Sequence, residues 1–209
     1  MGKFDIRFLK AHADAAEYEV AVETGTLFGD STAKLRKHFP RVYTIEINRA
    51  LYEKAVAKFK DDERVRVLFG DSKQVLRELL QEIQRPCLFY LDAHFSGDRT
   101  TNWKRSNWRG YRVDTGYSGD EPTAENQVPL FEEIKSIHDG FKSACLIYID
   151  DVDKFDESGA GLRDLKFQGE DWTHLNLNAI RDYVARRLKT WVQQKSQLII
   201  RLGAVQEAR

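Results

Sequence analysis

Short apolar runs alternate with amphipathic segments along most of this 209-residue chain. Five of the runs predict strands; they span residues 19–24, 42–47, 65–69, 87–91 and 144–149. The fourth and fifth are continuously apolar, which is typical of strands buried on both faces of a parallel sheet. Helical spacing of apolar residues predicts helices near 4–16, 30–39, 49–60, 72–84, 126–139 and 176–189. Two last apolar runs, 191–194 and 198–202, predict a terminal antiparallel hairpin.

This order of elements predicts one α/β domain over residues 1–209. Repeated strand–helix alternation followed by a hairpin gives a Rossmann-like, doubly wound, seven-stranded and mostly parallel sheet with a C-terminal antiparallel hairpin. Ligands of such sheets bind outside the carboxyl ends of the strands, where the strand order reverses. We therefore expect the chemistry of this chain at its strand ends.

The end of the first predicted strand carries the most informative pattern. The segment from Glu23 to Gly29 reads ETGTLFG and leads directly into a helix at Asp30. Glycines allow a ligand to approach the backbone, and the first N–H groups of the helix would face it. Glu46 ends the next strand about 20 residues later, where a ribose diol needs an acceptor. The pattern predicts an adenosine-containing cofactor, although a structural glycine turn remains an alternative.

The residue types in this loop distinguish between cofactors. The dinucleotide fingerprint GxGxxG would require glycine at Leu27, so a nicotinamide-dependent reductase is disfavoured. The Glu23 carboxylate would repel a pyrophosphate but can accept hydrogen bonds from a cationic amine, such as the one in S-adenosylmethionine. We therefore expect S-adenosyl-L-methionine as the cofactor.

Each of the first five predicted strands ends in a carboxylate: Glu23, Glu46, Asp71, Asp92, and the pair Asp150 and Asp151. Asp92, Asp150 and Asp151 would offer three hard oxygen ligands, which suit Mg²⁺ or Ca²⁺ better than zinc. The alternative is that Asp92 and Asp150 cap the turns after their strands. His94 is the leading candidate for a catalytic base because imidazole titrates near working pH. Alternatively, His94 could support Asp92 or bind the metal ion directly.

The layout resembles the class I S-adenosylmethionine-dependent methyltransferases over essentially the whole chain. The segment from Glu23 to Gly29 resembles the E-[TV]-G-x-x-x-G variant of the macrocin-type sugar O-methyltransferases and the cephalosporin-hydroxylase group. In those families a carboxylate after strand four and an Asp-Asp pair after strand five hold magnesium, which matches Asp92 and residues 150–151 here. His94 departs from the acidic residue expected at its position.

This resemblance implies a donor site assembled from the loops after the first four strands. The methionine part would lie by the glycine loop, the ribose at the end of strand two, and the adenine against the turn after strand three. The implied residues are Glu23, Gly25, Thr26, Gly29, Ser31, Glu46, Ile47, Asp71, Ser72 and Asp92. Asp92 and His94 would carry the catalysis. The expected activity is O-methylation of a sugar-like or polyhydroxylated small molecule, with an N- or RNA-methyltransferase or a non-catalytic donor-binding module as alternatives.

A long polar segment at 95–124 interleaves arginines and lysine with tryptophans and tyrosines. Its length predicts a lid-like insertion, and its composition favours an anionic or sugar-linked acceptor. Single-stranded RNA, a contact in a homo-oligomer, and a solvated loop are the alternatives. No (D/N)PP(Y/F) tetrapeptide follows strand four, which argues against an amino-group methyltransferase acting on nucleic acid.

Composition and charge limit the expected partners and the cellular location of the protein. The 33 basic and 33 acidic residues cancel to a formal net charge of zero, so no global field recruits nucleic acid or an anionic membrane. No signal-peptide core or membrane-length apolar run is present. Cys87 and Cys145 both lie in apolar strands and are expected to be reduced core residues. A cytoplasmic protein is the resulting expectation.

Overall fold

The computed structural model describes residues 4–94, 127–155 and 172–205. Its strands are β1 (Val20–Thr24), β2 (Arg41–Glu46), β3 (Val65–Phe69), β4 (Cys87–Leu91), β5 (Cys145–Ile149), β6 (Leu188–Gln194) and β7 (Gln197–Leu202). Its α-helices are α1 (Ile6–His12), α2 (Asp30–Leu35), α3 (Arg49–Phe59), α4 (Ser72–Glu82), α5 (Leu130–Gly140) and α6 (Leu177–Val184). Short 3₁₀ turns cover Ala15–Glu17 and Val152–Lys154.

All seven strands form one sheet in the order β3-β2-β1-β4-β5-β7-β6. The first five strands are parallel, and β7 runs antiparallel to both β5 and β6. This confirms the predicted Rossmann-like sheet with its antiparallel C-terminal hairpin. The chain moves outward from β1 to β3 and then returns to β4, so the strand order reverses between β1 and β4. A ligand crevice is expected at the carboxyl ends of those two strands.

An apolar core covers each face of the sheet because successive strand residues point to opposite sides. Val22, Phe89 and Ile147 face a core that is completed by α4, α5 and α6. Their neighbours in the strands face a second core completed by α1 and α2: Ala21, Leu88 and Leu146. Burial on both faces explains why these strands read as continuous apolar runs rather than alternating ones.

The helix predicted over 176–189 ends earlier than its apolar pattern indicated. Helix α6 ends at Val184, and β6 begins at Leu188 rather than at Trp191. Leu188 is paired with Leu202 of β7. Strand pairing in the hairpin therefore includes Leu188, which its helical spacing had assigned to the helix.

The first two predicted helices are also shorter than expected. Helix α1 ends at His12, and a 3₁₀ turn capped by the Asp14 side chain follows it. Helix α2 ends at Leu35, four residues before the predicted end at Phe39. The predicted insertion at 95–124 lies outside the described residues.

The two cysteines are free and buried, as predicted. Cys87 of β4 and Cys145 of β5 lie opposite each other in the parallel register. Within the described residues, no helix combines the length and apolarity that crossing a bilayer requires.

Candidate functional site

The glycine loop after β1 packs tightly against the end of β4. Gly25 has φ +84°, and a Cβ added there would lie 2.6 Å from the Asp92 carbonyl oxygen. Gly29 has φ +68°, and a Cβ there would lie 2.8 Å from the Phe59 ring. Both glycines are thus required by close approach within the protein. The loop after β1 and the segment after β4 meet at the point where the strand order reverses.

Glu46 ties this loop to the end of β2. Its side chain is almost completely buried. One carboxylate oxygen accepts from the Leu27 N–H at 2.8 Å, and the other accepts from the Asn48 N–H at 2.9 Å. Burial raises the pKa of Glu46 against the opposing effect of these backbone hydrogen bonds. Glu46 therefore orders the loop, and its position at the end of β2 is the one predicted for the ribose acceptor. Ile47 follows it and is half-buried.

Glu23, at the end of β1, is completely buried. Its Oε2 accepts hydrogen bonds from the Thr32 hydroxyl and, at 2.7 Å, from the Thr44 hydroxyl. Burial raises the pKa of Glu23 to about 8, and the nearby carboxylates of Asp92 and Glu46 act in the same direction. Its Oε1 has no hydrogen-bond partner within the described part of the chain. A cation placed beside this oxygen would favour the ionised carboxylate.

Thr26 and Ser31 both follow this buried carboxyl in the sequence, in the loop after β1 and at the start of α2. The Thr26 hydroxyl is buried and lies 2.5 Å from that of Thr44. Ser31 is half-buried in the first turn of α2. The polar groups of the loop therefore form a connected set between β1, β2 and α2.

The turn after β3 begins helix α4 as the sequence predicted. Asp71 is the N-cap, and its carboxylate accepts from the Lys73 N–H at 2.9 Å. Ser72 is buried, and its hydroxyl is hydrogen-bonded to Glu133. These two predicted adenine-edge residues are therefore both held by partners within the protein.

Glu133 is a buried residue of this region that the sequence reasoning missed. It lies in the first turn of α5 and is completely buried. The Thr24 hydroxyl donates to its Oε2 at 3.3 Å. Burial raises the pKa of Glu133 to about 7. The signal was present, because Glu133 lies on the helix face defined by three apolar residues at helical spacing: Leu130, Ile134 and Ile137.

Asp92, His94 and Asp151 form what we call the rim cluster, at the ends of β4 and β5. One potential ligand atom from each lies within 4.8 Å of the other two. The His94 Nε2 atom is 3.6 Å from Asp92 Oδ1 and 3.5 Å from Asp151 Oδ2. Asp150 is outside this group, and its Oδ1 accepts from the Asp151 N–H at 2.9 Å. Two of the three predicted metal ligands thus come together, with His94 as the third member.

Three further side chains hold the rim cluster in place. The buried Tyr90 hydroxyl donates to Asp92 Oδ2 at 3.0 Å, and burial raises the pKa of Tyr90 well above its usual value. The Lys154 ammonium lies 3.0 Å from Asp151 Oδ2. The Trp172 ring centroid lies 5.6 Å from that of His94.

The sequence carried unequal signals for these three residues. Tyr90 lies two positions before Asp92, on the same face of the strand, and could have been inferred from that alternation. Lys154 lies three positions after Asp151, but only the observed turn brings it back to the carboxylate. Nothing in the sequence indicated that Trp172 would lie at this end of the sheet.

Solved structures of other proteins share this fold, although sequence comparison finds no match. No family model matches the chain, and no curated protein matches its sequence. The structure is similar to the S-adenosylhomocysteine-bound methyltransferase PaMTH1 of Podospora anserina, with a TM-score of 0.52 and 14% identity over 90% of this chain and 72% of that one. It is also similar to an O-methyltransferase family protein of Burkholderia thailandensis, with a TM-score of 0.56 and 10% identity over 92% and 53% of the two chains. The mitomycin 7-O-methyltransferase MmcR gives a TM-score of 0.52 and 14% identity over 94% and 52%.

The chain spans about half the length of the last two proteins. At these identities the likeness shows the fold alone, a Rossmann-like sheet that this chain shares with these solved methyltransferases. The narrower resemblance to the macrocin-type group stays a prediction.

Proposed function

We propose that this protein is an S-adenosylmethionine-dependent methyltransferase. One observation carries the proposal: where the strand order reverses, two buried carboxyls flank a glycine loop that touches the end of β4. These carboxyls are Glu23 and Glu46. The position is the one at which sheets of this class bind ligands, and the fold is shared with methyltransferases.

The side chains present fit the donor molecule. The Oε1 atom of Glu23, which lacks a partner among the described residues, can accept from the cationic amine of the methionine part. Glu46 keeps acceptor lone pairs for the ribose hydroxyls beyond its two backbone hydrogen bonds. Asp71 and Ser72 would lie at the adenine edge, and the half-buried Ile47 would pack on the adenine face. Bound donor would supply the methyl group, while the protein aligns the acceptor with it.

The rim cluster fits a divalent cation. Two carboxylates and an imidazole within reach of one another suit Mg²⁺ or Mn²⁺, and the Tyr90 hydrogen bond fixes the orientation of Asp92. An ion held by Asp92, His94 and Asp151 would lower the pKa of an acceptor hydroxyl. Asp150 remains our predicted additional ligand. Without an ion, His94 would take the acceptor proton, with the two carboxylates orienting its ring.

For the acceptor, we propose a sugar-like or polyhydroxylated small molecule that is methylated on oxygen. A cation at the rim cluster would hold two neighbouring hydroxyls, and this supports an acceptor with a diol. The basic and aromatic composition of residues 95–124 supports an anionic or sugar-linked molecule. An amine or RNA acceptor, or donor binding without catalysis, would appear as other outcomes of an acceptor screen.

Calorimetric titration with S-adenosylhomocysteine tests the core of this proposal. We expect micromolar binding in magnesium and in EDTA, because the donor pocket does not require the ion. Glu46→Gln should weaken binding at least about tenfold, since a hydrogen bond to a charged group contributes about 1.5–3 kcal/mol. Glu53→Gln makes the same change at an exposed position of α3 and should bind like the original protein. Absence of binding in both buffers would refute the cofactor assignment.

A further inference from the structure

A short turn after β5 returns a lysine to the rim cluster. Asp151 has a left-handed backbone with φ 62°, and the 3₁₀ turn Val152–Lys154 follows it. The Val152 N–H donates to the Ser196 carbonyl at 2.9 Å, and the Lys154 N–H donates to the Asp151 carbonyl at 3.0 Å. The hairpin between β6 and β7 thus anchors the turn. The position of Lys154 is set by backbone hydrogen bonds as well as by its charge.

The Lys154 ammonium uses the same carboxylate that a metal ion would need. Its Nζ lies 3.0 Å from Asp151 Oδ2, the oxygen that also lies 3.5 Å from His94 Nε2. A divalent ion bound to this oxygen would lie within a few ångströms of a like-charged ammonium. The side chains of Asp92 and Asp151 are largely buried, so water screens charges poorly at this place. The divalent ion and the ammonium would therefore repel each other strongly.

We propose that Lys154 is the resident cation of the rim cluster and competes with a divalent ion for Asp151. This inference rests on the metal-binding part of the proposed function. The cluster then has two states: one in which the ammonium neutralises Asp151, and one in which an ion binds and the ammonium moves away. Lys154 is in this sense a positioning residue that sets the affinity of the site for metal.

The ammonium that contacts Asp151 also lies over the Trp172 ring. The Lys154 Nζ lies 4.7 Å from the centroid of the Trp172 ring, within the range of a cation–π interaction. Phe155 stacks on Trp172 with an interplanar angle of 13°, which holds the indole in place. The ammonium can therefore leave Asp151 while it stays beside the indole. Exchange of the cation should alter the surroundings of the Trp172 ring.

Titration with Mn²⁺, followed by the electron paramagnetic resonance signal of the free ion, tests the competition. Lys154→Met should bind Mn²⁺ about tenfold more tightly than the original protein, because a partly buried ion pair no longer opposes the metal. Lys154→Arg keeps the charge and should bind like the original. Adding Asp151→Asn to Lys154→Met should abolish the gain. Equal affinities of the original and Lys154→Met proteins, no binding by either, or a gain that survives Asp151→Asn would each overturn the inference.

Tryptophan emission gives a second readout that does not depend on activity. Titration with Mg²⁺ should change the emission of the original protein, and Trp172→Phe should remove that change. An unchanged emission at a Mg²⁺ concentration that saturates the site would contradict movement of the ammonium. Binding of S-adenosylhomocysteine in EDTA is measured on the same preparations. Failure there refutes the donor site. Equal Mn²⁺ affinities refute only the role of Lys154, whereas absence of Mn²⁺ binding by both proteins refutes the metal site itself.

Discussion

Replacement of Glu23 by glutamine should stabilise the fold, and the gain should appear only as the pH rises. Glu23 is completely buried, and its pKa is raised from 4.5 to about 8. In the unfolded chain the carboxyl loses its proton near its ordinary pKa, while in the folded protein it keeps the proton until about pH 8. The stability that this group contributes is thus fully present below pH 4.5 and is lost as the pH rises through about 8.

The size of the effect follows from the interval between these two pKa values. For each pH unit over which the folded state binds one proton more than the unfolded state, the free energy of unfolding falls by about 1.4 kcal/mol. The interval from 4.5 to about 8 therefore corresponds to on the order of 5 kcal/mol for Glu23. Glu133, with a pKa of about 7, adds on the order of 3 kcal/mol in the same direction. Both are large beside a total stability of about 5–15 kcal/mol for a typical domain.

Glutamine is a close substitute for the protonated carboxyl. Its amide oxygen can occupy the position of Oε2 and accept from the Thr32 and Thr44 hydroxyls. Its amide nitrogen then lies where Oε1 has no partner among the described residues, which is also where the acid proton would lie. The two proteins should therefore be nearly equally stable at pH 5. Above pH 8 the variant should be more stable by on the order of 5 kcal/mol.

Urea denaturation at pH 5, 6, 7, 8 and 9, followed by circular dichroism, measures this difference. The original protein should lose stability steeply over this range, and Glu23→Gln should show the smaller slope that comes from the other buried carboxyls, Glu133 and Glu46. Glu53→Gln removes an exposed carboxyl and should reproduce the slope of the original protein. Parallel pH profiles for Glu23→Gln and the original protein would show that Glu23 is ionised in the fold, and the reasoning would be refuted.

Two further substitutions test the packing around the site. Gly25→Ala should destabilise the fold by more than about 1 kcal/mol, because the residue has φ +84° and its Cβ would lie 2.6 Å from the Asp92 carbonyl. Gly203→Ala is the control, because its Cβ would meet only the Lys189 side chain, and it should lower the melting temperature less. Equal losses would contradict the close packing of Gly25 against the end of β4. Arg187→Met should cost about 2–4 kcal/mol in urea unfolding, because the buried guanidinium donates to backbone carbonyls in the last turn of α5, just after α5 and just after β7: His138, Phe141, Ser143 and Gly203. Arg187→Lys should recover only part of this loss, and full recovery would show that charge alone matters there.

The five parallel strands were predictable because each is a short and largely apolar run between polar turns. Residues 87–91 and 144–149 contain no charged side chain, as strands buried on both faces require. The end of α6 was not predictable by the same means. Leu188 continues the helical spacing of its neighbours, and only its pairing with Leu202 in β7 assigns it to a strand. Local periodicity contains no information about such a partner.

The site was predictable to a similar extent. Parallel strands place their carboxyl ends at one edge, so the acidic residues after β4 and β5 were expected to meet, and Asp92 and Asp151 do. Which member of the Asp150–Asp151 pair joins the cluster depends on the left-handed backbone at Asp151, and no residue pattern specifies it. Glu133 bonds to Thr24 across 109 positions of the chain. A contact of that separation can be found only from the packing of α5 against the sheet.

Burial of Glu23 lowers the stability of the fold at alkaline pH, and for the same reason it would strengthen the interaction with the cationic amine of the proposed ligand. A carboxyl without access to water interacts strongly with any charge that approaches it. In the protein without ligand, that property opposes ionisation and lowers stability at alkaline pH. The cationic amine of a donor at Oε1 would reverse it, since the ionised carboxylate would then have a partner of opposite charge. Glutamine would serve the fold better at this position at alkaline pH, and a carboxyl gains the advantage once a cation binds there, as the proposed donor would.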